Sequence, residues 1–131
     1  MNTKDKGNIT ELKVMTRLAE LGHTVSVPFG ENARYDLIWD DDGQLKRVQC
    51  KTGRLRNGVI RFNTCSRDKR DFLKKKSYDN EVECFGVYCG DNDTVYVVPV
   101  DDAPSAEGTL RVLAAKNGQS SGVRMAKDYE L

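Results

Sequence analysis

An aspartate, an amide and a lysine stand close together in a strand-like part of this chain. Asp36 lies in Arg34-Tyr35-Asp36-Leu37-Ile38, and Gln49 and Lys51 lie in Arg47-Val48-Gln49-Cys50-Lys51. Such a set suits hydrolysis assisted by a hard divalent cation. Ions such as Mg²⁺ take oxygen ligands and keep several waters. A lysine beside the ion steadies developing negative charge or helps orient an attacking water. The intervening Asp40-Asp41-Asp42-Gly43 ends in an Asp-Gly hairpin signal, which predicts two adjacent strands. Side chains alternate along a strand, so Gln49 and Lys51 share one face and Val48 and Cys50 the other. With Asp36 on the neighbouring strand, carboxylate, amide oxygen and ammonium are expected over one small patch.

The elements around this pair follow from periodicity. Residues 1–7 read as a loose arm. A first helix is expected from Ile9 to Leu21, with Asn8 as N-cap, Gly22 after its end, and an apolar stripe of Leu12, Met15, Leu18, Ala19 and Leu21. Asn8 and Glu11 have capping-box spacing, so Glu11 alone reads as a first-turn cap. Strands are expected at 23–28, 35–39, 45–52 and 59–63, the last following the turn Asn57-Gly58, with Ile60 and Phe62 inward and Arg61 outward. A second helix is expected from Arg67 to about Tyr78. Two apolar strands should follow at 84–89 and 95–100, then a short element around Leu110-Leu113. The structural alternatives are plain: Asp36 can face solvent, and the Lys-rich helix can be a solvated face.

The chain has 131 residues, 38% hydrophobic and 31% charged, and reads as a single globular domain over 1–131. No apolar run reaches a membrane span and no signal segment opens the sequence, so an intracellular, cytoplasmic protein is expected. Its four cysteines form no CxxC pair and there is one histidine, which argues against structural zinc. Net charge is +1, but between Lys46 and Lys76 twelve Lys or Arg face only two acids. Charge segregated in this way suggests a polyanionic partner for one face.

The ordered set of helix, strand, strand with Asp36 and strand with Gln49-Cys50-Lys51 resembles the PD-(D/E)xK nuclease superfamily. The Lys6-Gly7…Glu11 pattern looks like the archaeal-type Holliday-junction resolvases. The set is more similar still to the group I intron-encoded homing endonucleases of this type. That likeness runs on through Gly58-Val59-Ile60-Arg61-Phe62 and Val95-Tyr96-Val97-Val98-Pro99-Val100 and spans residues 6–100. It implies an α/β fold with a restriction-endonuclease-like core, a mixed central β-sheet flanked by helices. It also implies Asp36 as the central metal-binding carboxylate, Cys50 as a backbone-carbonyl ligand, Lys51 as the catalytic lysine and Glu11 as a helix carboxylate supporting the metal's water shell. Gln49 stands where most members carry Glu or Asp. An amide supplies oxygen without charge, which weakens the hold on a divalent ion. Either the Gln is natural, the favoured reading, or it replaces a Glu and disables the enzyme.

The implied activity is Mg²⁺-dependent hydrolysis of DNA phosphodiesters, with Mn²⁺ as a substitute ion. Site-specific homing-type cleavage is preferred. The alternatives are resolution of Holliday junctions and a catalytically inactive DNA-binding relative. Arg54, Arg56, Lys69 and Arg70 are expected on phosphates and Asn57 and Arg61 at the grooves of double-stranded or branched DNA, with Lys6 and Arg34 as further DNA-binding residues. Cutting both strands needs two sites, so a homodimer or homotetramer is expected. Its interface is placed on the Val95–Val100 strand or the C-terminal third.

Overall fold

A computed structural model of the chain describes residues 1–67, 71, 74–104, 106–113 and 123–131. The expected DNA contacts Lys69 and Arg70, and the middle of the expected second helix, lie outside the described residues.

The helix starts earlier than its pattern suggested. α1 spans Thr3–Glu20, capped by Asn2, whose side chain accepts the Asp5 N–H at 2.8 Å. The supposed arm is therefore the helix's first turn and a half, Asn8 is not its cap, and Glu11 sits mid-helix. The buried stripe is Thr10, Val14 and Leu18, while Leu12 and Leu21 are exposed. Spacing of four residues through a threonine and a valine was masked by the more apolar leucines beside it.

Among the described residues nine strands follow: β1 Thr24–Ser26, β2 Leu37–Asp41, β3 Gln44–Arg56, β4 Val59–Asn63, β5 Cys65–Arg67, β6 Lys75–Ser77, β7 Cys84–Cys89, β8 Thr94–Pro99 and β9 Glu107–Arg111. Both hairpin signals hold. Asp42-Gly43 joins β2 to β3 and Asn57-Gly58 joins β3 to β4, all four residues with positive φ as such tight turns require. The expected helix from Arg67 to Tyr78 is replaced at its two ends by β5 and β6, which pair antiparallel as a separate ribbon. α1 is the one α-helix among the described residues, so the flanking layer is thinner than expected.

The thirteen-residue β3 is the hub of the seven-stranded sheet. Its first part pairs antiparallel with β2 as far as Leu37↔Val48, and its last part with β4 from Arg54↔Arg61. On the other edge β7 runs parallel to it from Val48↔Cys84 to Gly53↔Cys89. Parallel and antiparallel neighbours make the sheet mixed. On the β2/β4 edge, residues 49–53 of β3 therefore lie between two partner strands and pair with neither.

Each face of the β3–β7 pair has its own core. α1 packs Val14 and Leu18 against Leu37, Val48, Cys50 and Cys84. The approach is close: a Cβ on Gly86 would lie 2.9 Å from Val14, so only glycine seats the helix here. The far face holds Ile60, Phe62, Tyr78, Phe85, Val87 and Leu110. The β8 residues Val95, Tyr96 and Val98 are buried inside the chain, and its outer edge is laced by the C-terminal residues through Val97 N–H to Tyr129 O and Leu131 N–H to Val95 O. Of the strand expected to offer a subunit interface, Val95, Tyr96 and Val98 serve this chain's own core, and Val97 and Val100 are half-buried.

Candidate active site at the open edge of β3

A gap in a sheet leaves backbone donors and acceptors without ladder partners, and something must satisfy them. Asp36 does so here. Its own N–H bonds Val48 O at 2.8 Å, extending the pairing by one step. Its carboxylate Oδ2 then accepts the Cys50 N–H at 2.8 Å. A strand residue's N–H and C=O point to the same edge. The Cys50 carbonyl therefore faces the same opening as the Asp36 carboxylate.

Glu11 approaches from the α1 face. Its carboxyl is pushed up to about 7, by burial first and then by the neighbouring Asp36 carboxylate. The Cys50 thiol is raised too, by burial first and then by Asp36 and Glu11. It stays a neutral thiol facing the helix, so Cys50 offers the opening its carbonyl and not its sulfur. A bond of 2.7 Å between the Thr10 and Thr52 hydroxyls pins α1 to β3 beside these residues.

Gln49 and Lys51 come from the opposite face, as alternation requires. Gln49 donates Nε2–H to the Arg34 carbonyl at 2.6 Å. Lys51 donates from Nζ to the Tyr78 hydroxyl at 3.2 Å. Glu11 and the Gln49/Lys51 pair thus flank the edge from two sides, with Asp36 in the edge itself. Four of the expected cations, Lys51, Arg54, Arg56 and Arg61, border one cleft of about 480 Å³ together with Thr52 and Glu107. Arg61 pairs with Glu107 at 3.1 Å and Arg56 with Asp91 at 3.8 Å. Lys6 is exposed on the first turns of α1, and Asn57 is an exposed turn residue.

Arg34 is placed differently from expectation. Its guanidinium is turned into the protein, bonding Glu81 at 3.0 Å, Ser66 Oγ at 2.7 Å and the Ser77 carbonyl at 2.9 Å. Sequence reasoning also missed Tyr78, which it put at the end of a helix. A lone tyrosine after a lysine run carries no signal for a site; only the pairing of β5 with β6 brings it back to Lys51.

Among the described residues no three His, Cys, Asp or Glu side chains gather to hold a metal. The available donors are two carboxyls, an amide oxygen and a backbone carbonyl. All are hard oxygen ligands, and two carboxyls held in contact are relieved when a divalent cation takes the proton's place. The set fits an ion of the Mg²⁺ type and not a thiolate-seeking one. Asp36, Glu11, Gln49 Oε1 and the Cys50 carbonyl would hold it.

A mixed sheet with a helix on one face, and an acid beside a Gln-x-Lys strand at an open edge, define a nuclease of the restriction-endonuclease type. The chain belongs to the PD-(D/E)XK endonuclease family, which it matches over residues 1–131. Among solved structures it is similar to the bacterial homing endonuclease I-Ssp6803I, with a TM-score of 0.75 and 23% identity over 99% of this chain and 89% of that one. At that identity the likeness establishes the fold. No curated protein matches the chain. As a family member the protein is an endonuclease of nucleic acid, and no described helix is long and apolar enough to cross a membrane.

Proposed function

We propose that the protein is a Mg²⁺-dependent DNA endonuclease of the homing kind, cutting duplex DNA at a specific site as a homo-oligomer. The observation that carries this reading is the Asp36 carboxylate seated on the Cys50 N–H in the gap of β3, with Glu11 beside it. A bound divalent ion would supply Lewis-acid stabilisation of charge on the phosphate. The chain's own residues do the rest. Asp36 and Glu11 supply negative charge, Gln49 an amide oxygen, and Lys51 a positive charge for the anionic transition state. Arg54, Arg56 and Arg61 border the same cleft as Lys51 and hold flanking phosphates, with Lys6 on the helix and Asn57 at the turn reaching the same duplex. The structural likeness to the bacterial homing endonuclease I-Ssp6803I supports the homing reading.

The test is cleavage of supercoiled plasmid and of a synthetic four-way junction, each with Mg²⁺ and with chelator. Metal-dependent cutting of plasmid at a recurring position supports the reading. Preference for the junction makes the protein a resolvase, and DNA binding without any cutting makes it an inactive relative. A monomer under cutting conditions, measured by light scattering, removes the oligomer.

A further inference from the structure

We propose that Arg34 and Tyr78 are positioning residues that form one bracket, fixing the amide of Gln49 and the ammonium of Lys51. The inference rests on the nuclease reading of the site and assigns work to two side chains outside it.

The bracket begins with the Gln49 amide. A carbonyl accepts only from the NH₂ side of an amide. The 2.6 Å bond from Gln49 Nε2 to Arg34 O therefore fixes which way round the side chain sits, and Oε1 points away from Arg34. A glutamate in this place would set a carboxylate oxygen against a carbonyl oxygen. The strand accordingly carries Gln because its backbone neighbour demands a donor.

That neighbour is itself immobilised by its side chain. The Arg34 guanidinium ties Glu81, Ser66 on β5 and the Ser77 carbonyl on β6 to the loop before β2. Its central carbon lies 4.1 Å from the centre of the Tyr78 ring. Planar stacking and a fork of donors are properties of arginine that lysine does not share.

Tyr78 carries the bracket on to the lysine. It is 5% exposed, braced edge-on against Phe85, the β7 residue that pairs with Gln49. Its hydroxyl accepts Lys51 Nζ at 3.2 Å, and the ring centre is 4.8 Å from that nitrogen. Among the described residues Lys51 meets a phenol and not a carboxylate, so it is held in place with its charge uncancelled. One tyrosine thus sits against two cations, Arg34, whose carbonyl holds Gln49, and Lys51 itself.

The test uses the full chain with supercoiled plasmid and Mg²⁺ for cutting, a labelled random duplex in chelator for binding, and ¹⁵N spectra of the Gln49 NH₂ and Lys51 ammonium groups without metal. Tyr78→Phe keeps the ring and removes only the hydroxyl. It should slow the single-turnover rate about tenfold or more, as small misplacements of catalytic groups do. DNA affinity should stay unchanged while the Lys51 signal moves. Arg34→Lys keeps the charge and loses the stack and the fork. It should lower the rate similarly, move the Gln49 signal and leave the salt dependence of binding alone. A phosphate-contacting Arg34 would behave otherwise: Arg34→Lys would cut normally, and Arg34→Gln would reduce the salt slope by about one with its rate intact. Either that pattern or wild-type rates and spectra in Tyr78→Phe overturns the bracket. A wild-type chain that cuts no DNA fails the nuclease reading instead, and the spectra still decide whether the bracket exists.

Discussion

The two faces of β3 are built from alternate residues of one strand and obey different rules. Toward α1 the strand shows Val48 and Cys50, buried in an apolar layer with Leu18 and Val14. Away from α1 it shows Gln49 and Lys51, half-buried, each with a polar partner. The first face gains from being dry and tightly filled. The second tolerates partial burial of an amide and an ammonium only because each has its hydrogen bond. Between them lies an edge where β2 has ended and β4 has not begun. The proposed chemistry is assigned to that edge because there both faces and the backbone meet.

If this division is right, substitutions on the two faces should separate catalysis from stability. The largest effect is expected from Lys51→Ala, which should lower the cutting rate by about 10²–10³, the usual loss when one charged stabiliser of an anionic transition state is removed. DNA affinity and the melting temperature should change little. A variant that cuts normally would remove Lys51 from the chemistry. The mirror experiment is Leu18→Ala on the helix that packs against the other face. Leu18 is fully buried, and such truncations cost about 2–5 kcal/mol. Calorimetry should show a melting temperature lower by roughly 10 °C, with the rate per folded molecule preserved. A large loss of rate in the folded fraction would show that the faces are not independent.

How much of this was legible in the sequence follows the same divide. Strand alternation, two Asx-Gly turns and apolar runs fixed β2, β3, β4, β7 and β8 to within a few residues, because each is a local signal. Asp36, Gln49 and Lys51 were named from their order and types and Glu11 from the family resemblance, while the place of Asp36 on the Cys50 N–H is a product of pairing. What was not legible depended on contacts between distant segments. Lys-rich residues 75–77 look helical by composition but pair with 65–67. Arg34 looks like a free cation and is tied into three backbone and side-chain partners. The helix start was missed because Asn2 and Asn8 are equally good caps by type, and only the folded chain shows Asn2 accepting the first-turn N–H of Asp5.

A smaller effect, and a sharper one, comes from Gln49→Glu. Family pattern alone favours an acid here, since it adds charge for a divalent ion. The Arg34 carbonyl at 2.6 Å opposes it. Losing that bond and facing oxygen against oxygen costs about 1–3 kcal/mol without metal. The variant should melt lower in chelator and recover more of its stability with Mg²⁺ than the parent does. Equal melting in chelator would mean that the amide bond to Arg34 contributes nothing to placing the side chain.

The smallest effect expected concerns Glu11, which reaches the edge from the helix face. Its folded pKa of about 7 stands above the ordinary value of 4.5, through burial first and Asp36 second. Between those two values the folded chain binds a proton that the unfolded chain has released. Metal-free stability therefore falls as pH rises from about 4.5 to about 7, and levels off above. Water screens this partly exposed carboxyl, so the fall should be modest. Glu11→Gln removes the ionisation and should flatten the fall, making the metal-free variant relatively more stable above neutral pH. Mg²⁺ should then stabilise the parent more at about pH 8 than at about pH 5, where protons compete for the same two carboxyls, and should stabilise the variant less at either. Melting curves in chelator across that range decide the matter: an unchanged slope in Glu11→Gln would place the proton on some other group and detach the helix from the edge.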